Sequence, residues 1–104
     1  MEAVTEPLGP DDRVVISLDE IDCANCDQLE AQLRCVADGA DRRLVVDLCA
    51  VRFLDSSGMR VLIMIDRDLR SRGGALVLAN LTRAVHRALD AGGVLDHFEV
   101  ESGA

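Results

Sequence analysis

The sequence contains no lysine, no tryptophan and no tyrosine, and only two phenylalanines. Its basic residues, eleven in all, are outnumbered by nineteen acidic ones, and the net charge is −8. Binding to DNA or RNA relies on neutralising phosphates with basic side chains. This balance therefore argues against nucleic acid as a partner, and equally against an anionic membrane surface. Long hydrophobic runs are also missing. A run such as Val61 to Ile65 falls far short of the roughly 20 residues a spanning helix needs. The segment from Met1 to Pro10 is acidic and has no apolar centre, so it does not read as a signal peptide. A soluble cytoplasmic protein is expected, with its four cysteines reduced.

What is present is aliphatic. About half of the residues are apolar, and the core must be built from Leu, Val, Ile and Ala. A chain of 104 residues makes one domain. Its core is expected between about residues 13 and 100, with a short first strand and a turn before it.

Patterning predicts an alternation of strands and helices. Arg13 to Leu18 reads as a strand, preceded by the turn Gly9-Pro10-Asp11-Asp12. Ala3 to Thr5 would pair with it antiparallel. A helix follows, capped by Asp22 or Asn25. It places Cys26, Leu29, Leu33, Val36 and Ala37 on one face and stops at Gly39. Leu44 to Leu48 is continuously apolar apart from Asp47, as in a strand buried on both faces of a parallel sheet. A loop from Cys49 to Ser56 leads to a helix over 57–72, ended by Gly73-Gly74. Ala75 to Ala79 is a strand. Thr82 to Ala91 is a helix with Val85, Ala88 and Leu89 inward, closed by Gly92-Gly93. Phe98 to Val100 forms a last edge strand, and 101–104 is a tail. The fold class is α/β: a mixed, mostly parallel sheet of four to five strands with three to four helices.

The segment Phe53-Leu54-Asp55-Ser56-Ser57-Gly58-Met59 carries the most information. It lies at the C-terminal end of a central strand, where open α/β sheets hold their sites. Asp55, Ser56 and Ser57 can each cap the next helix, and Gly58 lets the backbone turn closely. On that helix Val61, Leu62, Ile65 and Leu69 form the core face. Met59 and Ile63 lie about 100° away, using 3.6 residues per turn. They would be either a partner patch beside Ser56 or the seat of a neighbouring element.

Taken with Glu20-Ile21-Asp22 and Val45-Val46-Asp47-Leu48, the Phe53-Leu54-Asp55-Ser56-Ser57-Gly58 segment resembles the STAS domain. Within that family the chain is most similar to the bacterial anti-sigma-factor antagonists. The likeness runs from about residue 13 to residue 100. Asp19 stands where the family usually has glycine. The resemblance implies a phosphorylated serine at Ser56, with Ser57 the alternative. It implies an anti-sigma factor with serine kinase activity as partner, bound when Ser56 is unmodified and released when it is phosphorylated. Asp22, Asp55, Ser56, Ser57, Gly58, Met59 and Ile63 would form the partner-binding surface. No cofactor, metal, nucleic acid or membrane is implied, no enzymatic activity is expected, and the chain would be a monomer or weak dimer. Stand-alone STAS domains also serve as structural subunits of signalling or lipid-transport assemblies.

A third function class rests on Cys23 and Cys26, a C-x-x-C pair at the start of the first helix. Cys26 falls on the apolar face, which favours burial over catalysis. Cys35 is expected exposed, and Cys49 lies at the end of a strand. A regulatory disulfide is therefore open, whereas a four-ligand zinc site is not supported by the spacing. His86, between Arg83 and Arg87, reads as solvated. So do the scattered carboxylates.

Overall fold

The computed structural model describes residues 4–8, 11–37 and 43–101. The chain opens with a hairpin of β1 (Val4–Leu8) and β2 (Asp11–Val15), paired antiparallel. Asp11 and Asp12 belong to β2 rather than to a turn. Ala3, Gly9, Pro10 and 102–104, which carried parts of the expected strand, turn and tail, lie outside the described residues. So does Gly39, the expected stop of the first helix.

After β2 come β3 (Glu20–Ile21), α1 (Cys26–Ala37), β4 (Arg43–Asp47), β5 (Phe53–Leu54) and α2 (Ser56–Arg70). Then follow β6 (Ala75–Ala79), α3 (Arg83–Ala91), a short 3-10 turn over Leu95–His97, and β7 (Glu99–Val100). The main sheet has five strands in the order β1-β2-β4-β6-β7, parallel from β2 onward. Each crossover advances the same way along the sheet. Right-handed connections therefore set all three helices on one face.

Alternation along the strands sorts the two faces. Val14, Leu44, Val46, Leu76 and Leu78 point to the helices. There they join Leu29, Leu33, Leu62, Ile65, Leu69, Val85 and Leu89 in one aliphatic core. Val45, Val77 and Ala79 point the other way and form a second, small cluster. Both clusters are buried, which is why β4 and β6 read as continuous apolar runs. On the helix-free face Arg13 pairs with Glu101 at 2.8 Å and Arg43 with Glu99 at 2.9 Å. Register puts Arg13 beside Val45, and Glu99 beside Val77. Both ion pairs therefore reach across the central strands, and the arginine stems lie over apolar surface.

The loop expected over 49–56 holds a strand. β5 pairs with β3 in a parallel two-stranded sheet, Glu20 beside Phe53 and Ile21 beside Leu54. Two residues each is too short for an alternation to be read from sequence.

Two carboxylates depart from the solvated reading. Asp66 is fully buried. Its Oδ1 accepts the Leu76 backbone N–H at 2.9 Å. Its Oδ2 accepts Arg70 Nε at 2.8 Å and stands 3.1 Å from His97 Nε2. Asp47, 8 % exposed, accepts Asn80 Nδ2 at 2.8 Å and the Cys49 N–H at 2.9 Å. Buried carboxylates persist where donors replace water.

Candidate functional site

The site is assembled at the C-terminal end of β4 by the small β3–β5 sheet. Asp19 O accepts the N–H of Arg52 at 2.7 Å, and Ile21 O accepts the N–H of Asp55 at 3.1 Å. These bonds lay Glu20-Ile21-Asp22 alongside Phe53-Leu54-Asp55. Two segments about thirty residues apart in sequence thereby become one surface. Asp19 contributes its backbone carbonyl while its side chain is exposed.

Asp55 caps α2. Its Oδ1 accepts the Ser57 hydroxyl at 2.5 Å, the Ser57 N–H at 2.9 Å and the Gly58 N–H at 3.2 Å. The Ser57 hydroxyl, more than any other group, holds the Asp55 carboxyl below the usual carboxylate range. Desolvation opposes this, and the backbone N–H groups of Gly58, Ser57 and Cys23 add to it. Asp22 orders its own loop: its Oδ1 accepts the Ala24 N–H at 2.9 Å. The turn is completed by Asn25, whose Oδ1 accepts the Asp22 N–H and whose Nδ2 donates to Glu20 O at 2.7 Å.

The two serines are thereby distinguished. Ser56, the first residue of α2, is exposed, and its hydroxyl makes no hydrogen bond among the described residues. Ser57 is half-buried, with its hydroxyl committed to Asp55. Two amides at the helix start that would be open to an added anion are already taken by Asp55. What remains for an anion on Ser56 is chiefly the field of the helix terminus.

Gly58, expected on the partner surface, is buried and faces inward. A Cβ there would lie 2.5 Å from Leu54 Cδ1 and 2.6 Å from Ile21 Cγ2. Its role is close approach: it lets α2 seat on the β3–β5 sheet. Met59 and Ile63 are half-buried and pack against the main core. A Cβ on Gly92, at the end of α3, would lie 3.1 Å from Met59 Sδ, so the end of α3 gives Met59 its cover. Met59 and Ile63 are therefore only partly exposed.

Sequence reasoning passed over Phe53. It is 48 % exposed, one of two large hydrophobic side chains so placed among the described residues, and three residues before Ser56. The signal was available, since an aromatic is rare in this chain and Phe53 opens its most informative segment.

Cys23 is exposed and Cys26 half-buried against the core, as its place on the apolar face implied. Cys35 is exposed, nine residues beyond Cys26 on α1, or about 13 Å along the helix axis, too far to bridge to it. Asp47 pushes the Cys49 thiol up, by hydrogen bonding first, then with burial and charge. Among the described residues no group of three or more His, Cys, Asp or Glu side chains could hold a metal ion. No helix among them is long and apolar enough to cross a membrane.

The sheet is mostly parallel, all helices lie on one face, an Asp-Ser-Ser-Gly helix start sits at its C-terminal end, and the STAS domain family model matches residues 8–103. The chain belongs to this family, among the anti-sigma factor antagonists. BtrV of Bordetella bronchiseptica, described as an anti-sigma factor antagonist, is 36 % identical over 80 residues, which is 77 % of this chain and 69 % of that protein. A STAS-domain anti-sigma-factor antagonist of Planctomyces limnophilus superposes with a TM-score of 0.87 at 14 % identity, covering 98 % of this chain and 91 % of that one. SpoIIAA, an anti-sigma factor antagonist solved in its unphosphorylated form, gives a TM-score of 0.74 at 19 % identity, with 96 % and 88 % covered. At these identities the two structures speak for the fold.

Proposed function

We propose that this chain is a protein-binding switch. It docks on an anti-sigma factor through the surface around Ser56, and phosphorylation of Ser56 by a partner serine kinase releases it. The chain itself does no chemistry; the kinase supplies ATP and the active site. The observation that carries this reading is the exposed, uncommitted hydroxyl of Ser56 beside the committed one of Ser57. Access for a phosphoryl donor is the first requirement of the switch, and Ser56 meets it.

A phosphoserine adds about −1.5 to −2 charges and three acceptor oxygens. At Ser56 these arrive next to Asp55, whose carboxylate already occupies the Ser57 and Gly58 amides, and near Asp22 across the β3–β5 pair. The phosphate therefore stays in solvent and makes the surface more negative. Burying such an unpaired group in an interface costs several kcal/mol, and each 1.4 kcal/mol is tenfold in affinity. No refolding is required. Phe53 is the aromatic anchor available on this surface, and Asp22, Asp55 and the exposed edges of Met59 and Ile63 complete it.

The test is incubation with the candidate anti-sigma kinase and ATP. The phosphate is expected on the tryptic segment Phe53–Arg60, at Ser56. Ser56→Ala should stay bound in the presence of ATP, and Ser56→Asp should bind at least about tenfold more weakly. Equal binding by wild type and both variants would refute the switch.

A further inference from the structure

The loop between β3 and α1 carries a thiol pair that docking does not use. Asp22 O accepts the N–H of Asn25 at 3.1 Å and of Cys26 at 2.8 Å, so residues 22–26 wrap as one helical turn. In such a turn, side chains three residues apart have Cβ atoms about 5–6 Å from each other. A disulfide needs about 3.5–4.5 Å, which rotation and slight tightening of an exposed turn can supply. Cys23 stands before the first regular residue of α1 and is exposed, so it has that freedom. Cys26 Sγ already points back at residue 23, with the Cys23 carbonyl oxygen 3.8 Å away. The other two cysteines do not compete within the chain. Cys35 is out of reach along α1, and Asp47 disfavours the Cys49 thiolate.

We propose that Cys23 and Cys26 form a redox modification site, closing to an intramolecular disulfide that loosens the Asp55 cap beneath Ser56. The oxidant is a peroxide. The Cys23 thiolate attacks one peroxide oxygen, the O–O bond breaks, and hydroxide leaves as water with the proton that Cys23 gave up, giving a sulfenic acid. Cys26 sulfur then attacks the Cys23 sulfur. The S–OH bond breaks, and hydroxide departs as a second water with the Cys26 proton. Two thiols are oxidised by two electrons, and one hydrogen peroxide is reduced to two waters.

The coupling to Ser56 follows from position. Asp55 donates its backbone N–H to Ile21 O at 3.1 Å, two residues before Cys23, and Leu54 pairs with Ile21. Drawing Cys23 toward Cys26 pulls on the strand end that holds Asp55 in place, and so loosens its cap. The disulfide itself is independent of the docking role proposed above, whereas its use as a regulatory input rests on that role.

The test is mild hydrogen peroxide treatment of the whole chain, alkylation of remaining thiols, and tryptic mapping without reduction. The segment Val14–Arg34 contains Cys23 and Cys26 and no other cysteine. It should lose both alkylation marks, run lighter by two hydrogens, and regain both marks after reduction. Cys26→Ser should abolish the effect. Amide exchange then reads the coupling: Ser57 and Gly58 should exchange faster in the oxidised chain than in the reduced one, and Cys26→Ser should show no such change. A doubly alkylated Val14–Arg34 after oxidation, or only cross-links between chains through Cys35, overturns the site. A disulfide with unchanged exchange at Ser57 and Gly58 overturns the coupling. Failure of any kinase to phosphorylate Ser56 bears on the docking role alone and leaves these two readouts standing.

Discussion

Asp55 Oδ1 accepts three hydrogen bonds from the residues that follow it, and those bonds set the properties of the whole loop. The Asp55 carboxyl lies below its ordinary value in the folded chain. A depressed carboxyl contributes stability that is present above its unfolded pKa of about 3.9 and is lost as pH falls through the folded value. Asp55→Asn should therefore be less stable than wild type at pH 7, with the deficit shrinking once pH drops below about 4. Urea midpoints measured at both pH values check this; a deficit that does not change with pH would contradict it. Gly58 presents a second residue-scale prediction. Its φ is ordinary, and the restriction is space, since an added methyl collides with Leu54 and Ile21. Gly58→Ala should cost about 1–3 kcal/mol by overpacking, read as a lowered urea midpoint. It should also disturb the Ser56 loop, because α2 can no longer seat.

At the scale of elements, α2 is tied to the sheet by Asp66. The Leu76 N–H lies on the side of β6 where β7 pairs only from Val77 onward, and the Asp66 carboxylate takes the place of a ladder partner. His97, just before β7, approaches the same carboxylate. One buried side chain thus joins α2, β6 and the entry to β7. Asp66→Ala should destabilise by about 1–3 kcal/mol, the cost of a buried N–H left without a partner. Asp66→Asn, which retains an oxygen for Leu76, should recover part of the loss. Equal urea midpoints for wild type and Asp66→Ala would show that the tie carries nothing. α3 is anchored comparably at its start, where Thr82 Oγ1 accepts the Val85 N–H and donates to Val51 O at 2.7 Å.

At the scale of the molecule, net negative charge is the main electrostatic influence outside the core. The extents are 30 × 27 × 27 Å and the net charge is −8. At about 10 mM salt the screening length is roughly 30 Å, so repulsion acts across the entire protein; at about 150 mM it is near 8 Å. Raising salt over that range should raise Tm. The exposed ion pairs Arg13–Glu101 and Arg43–Glu99 oppose this only weakly, being worth about 0–1 kcal/mol each. A Tm that falls with added salt would mean that these pairs outweigh the net repulsion.

The order of the longer elements, the aliphatic core, the parallel pairing and a cap among Asp55, Ser56 and Ser57 were legible in the sequence because each follows from neighbours a few residues apart. Apolar periodicity, cap chemistry and glycine stops act within one turn or one strand. The β3–β5 pair was not legible, since two-residue strands exist only by finding each other across a long stretch of chain. The same holds for the burial of Asp66, the cover over Met59 and the exposure of Phe53. Each depends on where a distant segment comes to rest. Local sequence alone is enough to stand a serine at the mouth of α2. Which of two adjacent hydroxyls is open is settled in the folded chain, by the one side-chain oxygen that Asp55 turns toward Ser57 when β5 docks beside β3.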